Sequence, residues 1–250
     1  MTTIHRDTRR GWLMFACFVV AEVTFLAVSV LVLVPFALTS FRHGAGSMRL
    51  PGGALVAALV VPTVMAGVVA ATGAAILGHG DLLERLRSQL SVRWRLRDAG
   101  LGLALGIAGL LITWPAAVLW TLLVGERRAN SAVGEVFGGQ RLHLGWALLL
   151  FFAVWLVAPM CEEVIYRGVL WRAMEYWRWN RWMILGLTTV LFSLAHLEPL
   201  RTPLLVVITL PIALARLRTG NLLASIVAHQ ANNFVPAVFL LLGTQDLLHR

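Results

Sequence analysis

An all-α, polytopic membrane protein of about seven transmembrane helices is the fold this sequence predicts, and three observations carry it. The chain is 59% hydrophobic with only 13% charged residues. Its mean hydropathy is +0.80. Apolar runs longer than the ~18 residues that suffice to cross a bilayer recur along most of the length, which a soluble domain would not sustain.

The first run, Trp12 to Leu38, is too long for the apolar core of a signal peptide, and no small-residue cleavage site follows it. It is expected to be a retained span. Further spans are expected at about 54–78, 99–124, 145–176, 182–197, 203–217 and 222–242. These divide the chain into a three-span N-terminal region, 1–143, and a C-terminal membrane core, 144–250, that holds the candidate site.

The net charge of +9 comes entirely from arginine among the 21 basic residues. That bias suits a GC-rich, hence bacterial, genome. The arginines fall in short inter-helix loops, which argues for membrane orientation and against a nucleic-acid partner. With the N-terminus inside, thirteen lie in inner segments and seven in outer ones, while Arg167 lies within a span. The positive-inside rule then gives a cytoplasmic N-terminus in a bacterial cytoplasmic membrane.

Between the spans, Asp81 to Asp98 alternates arginine with Leu, Val and Trp94, as an amphipathic surface segment does. Trp171, Trp177, Trp179 and Trp182 crowd the turn after the fourth span like interfacial aromatics. Gly102 and Gly106 form a G-x-x-x-G pair suited to close helix packing. Cys17 and Cys161 lie in apolar segments and read as small buried hydrophobes.

Chemistry concentrates where polarity is most costly. Ionisable groups at membrane depth cost roughly 2.5–3.5 kcal/mol each on insertion scales. Yet the fourth span carries Glu162, Glu163 and Arg167. Glu163 and Arg167 are four residues apart on one helical face, so Arg167 is expected to neutralise Glu163. That pair alone would serve as a buried helix contact, but it leaves Glu162 uncompensated and available as a general base.

Spans four and five form a hairpin turning near Asn180, with Glu162 eighteen residues before the turn and His196 sixteen after it. Both then climb roughly 24–27 Å from the turn and can face each other at one level. A lone histidine there would be a satisfied core residue; opposite a spare glutamate, the pair can hold and deprotonate a water, with or without a metal. Phe192 shares the face of His196. On the seventh span His229 and Asn233 project together and can donate to a developing oxyanion. His229 as a metal ligand oriented by its neighbours, and plain polar contact between helices, are the alternatives. Glu22, alone in the first span, stays outside the site.

Other chemistries fit less well. Gly78-His79-Gly80-Asp81 matches the G-x-G-D of intramembrane aspartyl proteases, but none of the four aspartates falls inside a span, so it reads as a turn. Ser193 sits on the same helix as His196, where its hydroxyl bonds backbone. No H-E-x-x-H zinc motif occurs.

Glu162-Glu163-x-x-x-Arg167, Phe192-x-x-x-His196 and His229-x-x-x-Asn233, in this order on successive spans, resemble the CPBP (CAAX protease and bacteriocin-processing, Abi) family. The resemblance runs from about Trp146 to Leu242 and is nearest the type II CAAX prenyl endopeptidase, or Rce1-like, branch. It implies an intramembrane endopeptidase acting on lipid-associated, prenylated CAAX-type or membrane peptides. Glu162 and His196 would activate the water, His229 and Asn233 would stabilise the oxyanion, and Glu163 and Arg167 would support them. One divalent metal, zinc on Glu162, His196 and His229, and a metal-free glutamate mechanism both suit this set. The cavity is expected to open on the cytoplasmic side, near Arg172 to Arg181. The alternative is a non-catalytic bacteriocin-immunity or partner-binding membrane protein. A proton-relaying transporter would need inverted repeats or paired broken helices, and the sequence shows neither.

Overall fold

A computed structural model describes residues 2–42, 51–137 and 139–247. Arg49 and Arg250, two of the outer arginines, lie outside these. The described residues form ten helices and no strand: α1 (Thr2–Arg42), α2 (Gly52–Leu77), α3 (Leu82–Leu90), α4 (Leu96–Val124), α5 (Glu126–Ala129), α6 (Ala132–Phe137), α7 (Leu144–Tyr176), α8 (Arg181–Ala195), α9 (Thr202–Thr219) and α10 (Leu222–Thr244).

Six are long and apolar enough to cross a membrane: α1, α2, α4, α7, α9 and α10. The seventh expected span is α8. Its 15 residues rise only ~22 Å, short of the ~30 Å hydrocarbon layer. α8 is therefore the one expected span too short for that layer, while α9 after it is long enough to cross.

Local chemistry sets the turns. Gly220 adopts φ 61° beyond α9, and the side chain of Asn221 then accepts from the amide of Leu223 to cap α10. This gives a two-residue reversal. Asn180 caps α8 in the same way. In the G-x-G-D segment Gly80 takes φ 96° and the Asp81 carboxylate accepts from the Glu84 amide. That aspartate is a helix cap, as a turn reading requires.

The arginine-rich end is tied together by hydrogen bonds. Asn221, fully buried, donates to the Arg93 carbonyl and to Asp98 Oδ2 (2.7 and 2.9 Å) and accepts from the Arg93 amide (3.0 Å). Arg93 and Arg181 donate to carbonyls at the end of α9, Arg10 meets His79, and Arg178 pairs with Asp7. Trp12, Phe15, Trp177 and Trp179 stack over the α7–α8 turn. Arg216, counted among the loop cations in the sequence, is instead buried in the last turn of α9, over the Trp171 ring.

Packing around α10 is tight. A Cβ on Gly102 would come within 2.2 Å of the Ala224 carbonyl oxygen, and one on Gly106 within 2.5 Å of that of Ala228. Only glycine lets α4 lie this close, as the G-x-x-x-G pair predicts. α1 and α2 pack on α7, so the N-terminal and C-terminal regions share one bundle.

Candidate active site

The site rests on an irregular helix. α7 is α-helical over Leu144–Phe152, Ala158–Glu163 and Trp171–Tyr176, with π-helical segments Ala153–Val157 and Val164–Leu170 between them. Pro159 explains the first interruption. It has no amide hydrogen to give the carbonyl four residues back, and its ring clashes there. A loosened backbone at membrane depth needs partners from elsewhere. They come from α10: Asn233 Nδ2 donates to the Val154 carbonyl and Gln230 Nε2 to that of Leu156, each at 3.2 Å. π segments often mark functional positions; here two flank Glu162 and Glu163.

Glu163 and Arg167 are both wholly buried, and Arg167 Nη1 donates to Glu163 Oε1 at 3.0 Å. The ion pair read from the sequence forms. Its carboxylate does a second thing, because His229 Nδ1 lies 3.0 Å from the same oxygen. A carboxylate can only accept, so Nδ1 carries the proton and Nε2 points onward. It points at Glu162, whose Oε2 is 3.7 Å away. The chain Arg167–Glu163–His229–Glu162 thus runs through the bundle.

The facing of Glu162 and His196 expected from the hairpin does not appear as a contact; the histidine beside Glu162 is His229. Both glutamates lie on the α-helical segment Ala158–Glu163, and the His229 ring lies between their carboxylates, with Nδ1 on Glu163 and Nε2 toward Glu162. His196 sits at the end of α8 with Nδ1 2.9 Å from the Phe192 carbonyl, to which it donates. Its Nε2 is left for other partners. Phe192 joins the parts. Its ring lies 4.7 Å from that of His196, 5.7 Å from His229 and 5.2 Å from Tyr166, and the Arg167 guanidinium stacks on it at 4.6 Å.

Three residues outside the sequence-based site join it. Glu22 of α1 reaches the Tyr166 hydroxyl and lies within electrostatic range of Glu162 and His196. It was legible only as the lone carboxylate of its span. Tyr166 and Gln230 carried no separate signal. As for metal, no group of three His, Cys, Asp or Glu side chains converges among the described residues. The Glu162, His196, His229 set is not gathered around one point as arranged.

A cavity of about 680 Å³ lies between α4, α9 and α10, with His196, Asn232 and Asn233 among its lining. Its mouth carries Arg141, Glu198, Arg201 and Asp246, at the end where α4 and α10 finish. This is the end opposite Arg172 to Arg181, so the expected opening is reversed. A second, shallower concavity of about 480 Å³ lies at the arginine-rich end, lined by Asp81, Glu84, Arg87 and Arg93 and apart from the glutamate–histidine chain.

The fold and site define a multi-pass α-helical membrane protein with a buried glutamate–histidine chain in its C-terminal helices. Residues 144–235 match the family model for type II CAAX prenyl endopeptidase Rce1-like, a match consistent with the CPBP family. No curated protein and no solved structure matches the chain. The family implies protease activity in general, and a membrane-embedded protease meets its peptide or protein substrate in a lipid environment.

Proposed function

We propose that the protein is an intramembrane endopeptidase that hydrolyses a lipid-associated or membrane polypeptide by glutamate-activated water. The observation that carries this is the Arg167–Glu163–His229–Glu162 chain, which leaves one carboxylate free beside an oriented imidazole.

In this reading Glu162 takes a proton from water as the hydroxide oxygen attacks the scissile carbonyl carbon. The carbonyl becomes an oxyanion. His229, held by Glu163 at Nδ1, presents Nε2 to it and donates when that nitrogen carries a proton. Asn233 adds the amide hydrogen not used on Val154. The C–N bond then breaks, and the proton held by Glu162 passes to the leaving amine, a transfer in which His196 Nε2 would act as relay. Glu163 and Arg167 orient His229 and touch no reacting atom. Residues 144–250 would form the catalytic core and 1–143 its support. A prenylated CAAX-type C-terminus is the substrate the family suggests, and a bacterial cytoplasmic membrane with the N-terminus inside is the location the arginines favour.

The test is cleavage of prenylated and membrane-peptide substrates by purified protein, comparing wild type with Glu162→Ala and His196→Ala. Loss in both variants is expected; equal, nonzero cleavage by all three overturns the chemistry. If none cleaves while Glu162→Ala still confers the cellular phenotype, a peptide-binding immunity role replaces it. Activity that persists in protein shown metal-free by elemental analysis supports the glutamate-only form; activity restored by zinc supports the metal form.

A further inference from the structure

We infer that the concavity on α3 is a binding site for one membrane phospholipid whose headgroup carries both a phosphate and a primary ammonium. The site is separate from the glutamate–histidine chain, and its occupancy does not depend on which face of the membrane this end occupies.

α3 links the end of α2 at Leu77 to the start of α4 at Leu96, two helices long and apolar enough to cross the membrane. It therefore lies where spans end, at the depth of the headgroups. Its two faces differ. Leu86 and Leu90 pack into the core. Leu83, Glu84, Arg87, Ser88 and Ser91 line the concavity, with Arg93 following them. Those spacings describe one helical face. A volume of about 480 Å³ falls within the roughly 300–1,000 Å³ of ordinary ligand sites.

The charges on that face are free to meet a ligand. Glu84 and Arg87 are three residues apart, a spacing at which opposite charges on a helix often pair. They do not pair here, and neither side chain has a hydrogen-bond or ion-pair partner among the described residues. The Glu84 carboxylate is folded back over Gly80, where a Cβ would stand 2.2 Å from its Oε2. Asp81 uses only Oδ1, on the Glu84 amide, and Arg93 uses only one Nη, on the carbonyls of Thr219 and Gly220. The concavity thus presents carboxylates on the first turn of α3 and guanidinium groups one turn later.

Three residues separate Glu84 from Arg87 by ~4.5 Å along the axis, the scale on which a two-carbon linker separates phosphate from ammonium. An arginine face alone would suit any anionic lipid; carboxylates beside it favour a headgroup of both signs. Leu82, Leu83, Trp94 and Leu96 are each more than half exposed around the site, an apolar surface for the acyl chains.

The test titrates purified full-length protein in detergent micelles with dioleoyl phosphatidylethanolamine, phosphatidylcholine or phosphatidylglycerol, and native mass spectrometry counts the lipids retained. All three carry the phosphate. Choline has no N–H to donate, and glycerol has no cation. Phosphatidylethanolamine should bind about fivefold more tightly than the others, the scale of one charge contact at a membrane surface. Glu84→Gln should bring it down to the level of phosphatidylcholine. Arg87→Gln should weaken all three by a similar factor. Both side chains are exposed and unpaired, so both variants should unfold at the wild-type temperature, measured alongside. Successive N-methylation of the ethanolamine lipid grades the same contact in unmutated protein, and affinity should fall as N–H groups are lost. Tightest binding of phosphatidylglycerol, strengthened by Glu84→Gln, would show that net positive charge alone acts and overturns the proposal. Equal binding of all three lipids overturns it as well, and so does an ethanolamine preference that survives both variants.

Discussion

α10 meets its two main neighbours by opposite means. Toward α4 it shows backbone, with the Ala224 and Ala228 carbonyls against Gly102 and Gly106. Toward α7 it shows side chains: His229 on Glu163, Gln230 on Leu156 and Asn233 on Val154. The first contact fixes how close the helix lies and carries no chemistry. The second repairs a helix that Pro159 has loosened, and the repairing residues border the glutamates. Function here occupies the face where regular structure failed, because only there do polar groups at membrane depth have a reason to exist.

The largest effects should come from the polar face. Arg167→Met leaves Glu163 and its partner His229 without their counter-charge in a fully buried setting. A loss on the order of 3–5 kcal/mol is expected, the usual cost of breaking a buried pair. Reversible unfolding in mixed micelles would measure it. Replacing both partners, Glu163→Leu with Arg167→Met, should recover part of that stability while activity stays lost. A double variant less stable than the single would show that Glu163 owes its burial to His229 instead. Glu162→Gln should act the other way, lowering cleavage about 10²–10⁴-fold, the range for a general base, with an unchanged unfolding curve. Its side chain is 27% exposed and, among the described residues, its approach to His229 at 3.7 Å is the one ion pair it makes.

What was legible follows the same division. The long spans were readable because burial in lipid demands length and apolarity, and α2, α4 and α7 begin within about three residues of where the sequence placed them. Gly102 with Gly106, and Glu163 with Arg167, were readable because each is a spacing on one helix. The partner of Glu162 was not. It comes from α10, which seats the His229 ring between the two carboxylates, and residue counting along α7 and α8 does not record a contact with a third helix. Glu22 was hidden in the same way: its role arises from a contact with another helix, which no local spacing records.

The backbone face gives a smaller, purely steric prediction. Gly106→Val would drive a side chain into the Ala228 carbonyl and the Ala231 methyl, neither of which can swing aside. Overpacking of this kind costs roughly 1–3 kcal/mol, and because Ala228 precedes His229, activity should fall with stability. Gly100→Ala is the matched control, since a Cβ there meets nothing within 4 Å. If Gly106→Val cleaved normally, α10 would not be held by α4, and the position of His229 would rest on α7 alone.

The smallest effect separates repair from catalysis within the polar face. Gln230→Ala and Asn233→Ala each free one carbonyl of the first π segment, and an interhelical hydrogen bond in a membrane averages only about 0.6 kcal/mol. Both variants should therefore lose little and nearly equal stability. Their activities should differ. Gln230 has only the Leu156 carbonyl to serve, so cleavage should fall less than about threefold, in line with a loss of that size. Asn233 also lines the cavity one turn beyond His229, where its second amide hydrogen is available to the oxyanion, and removing one such donor costs about 10²–10³-fold in kcat. Equal activity losses at equal stability would assign Asn233 to helix repair and leave His229 as the sole donor on that face.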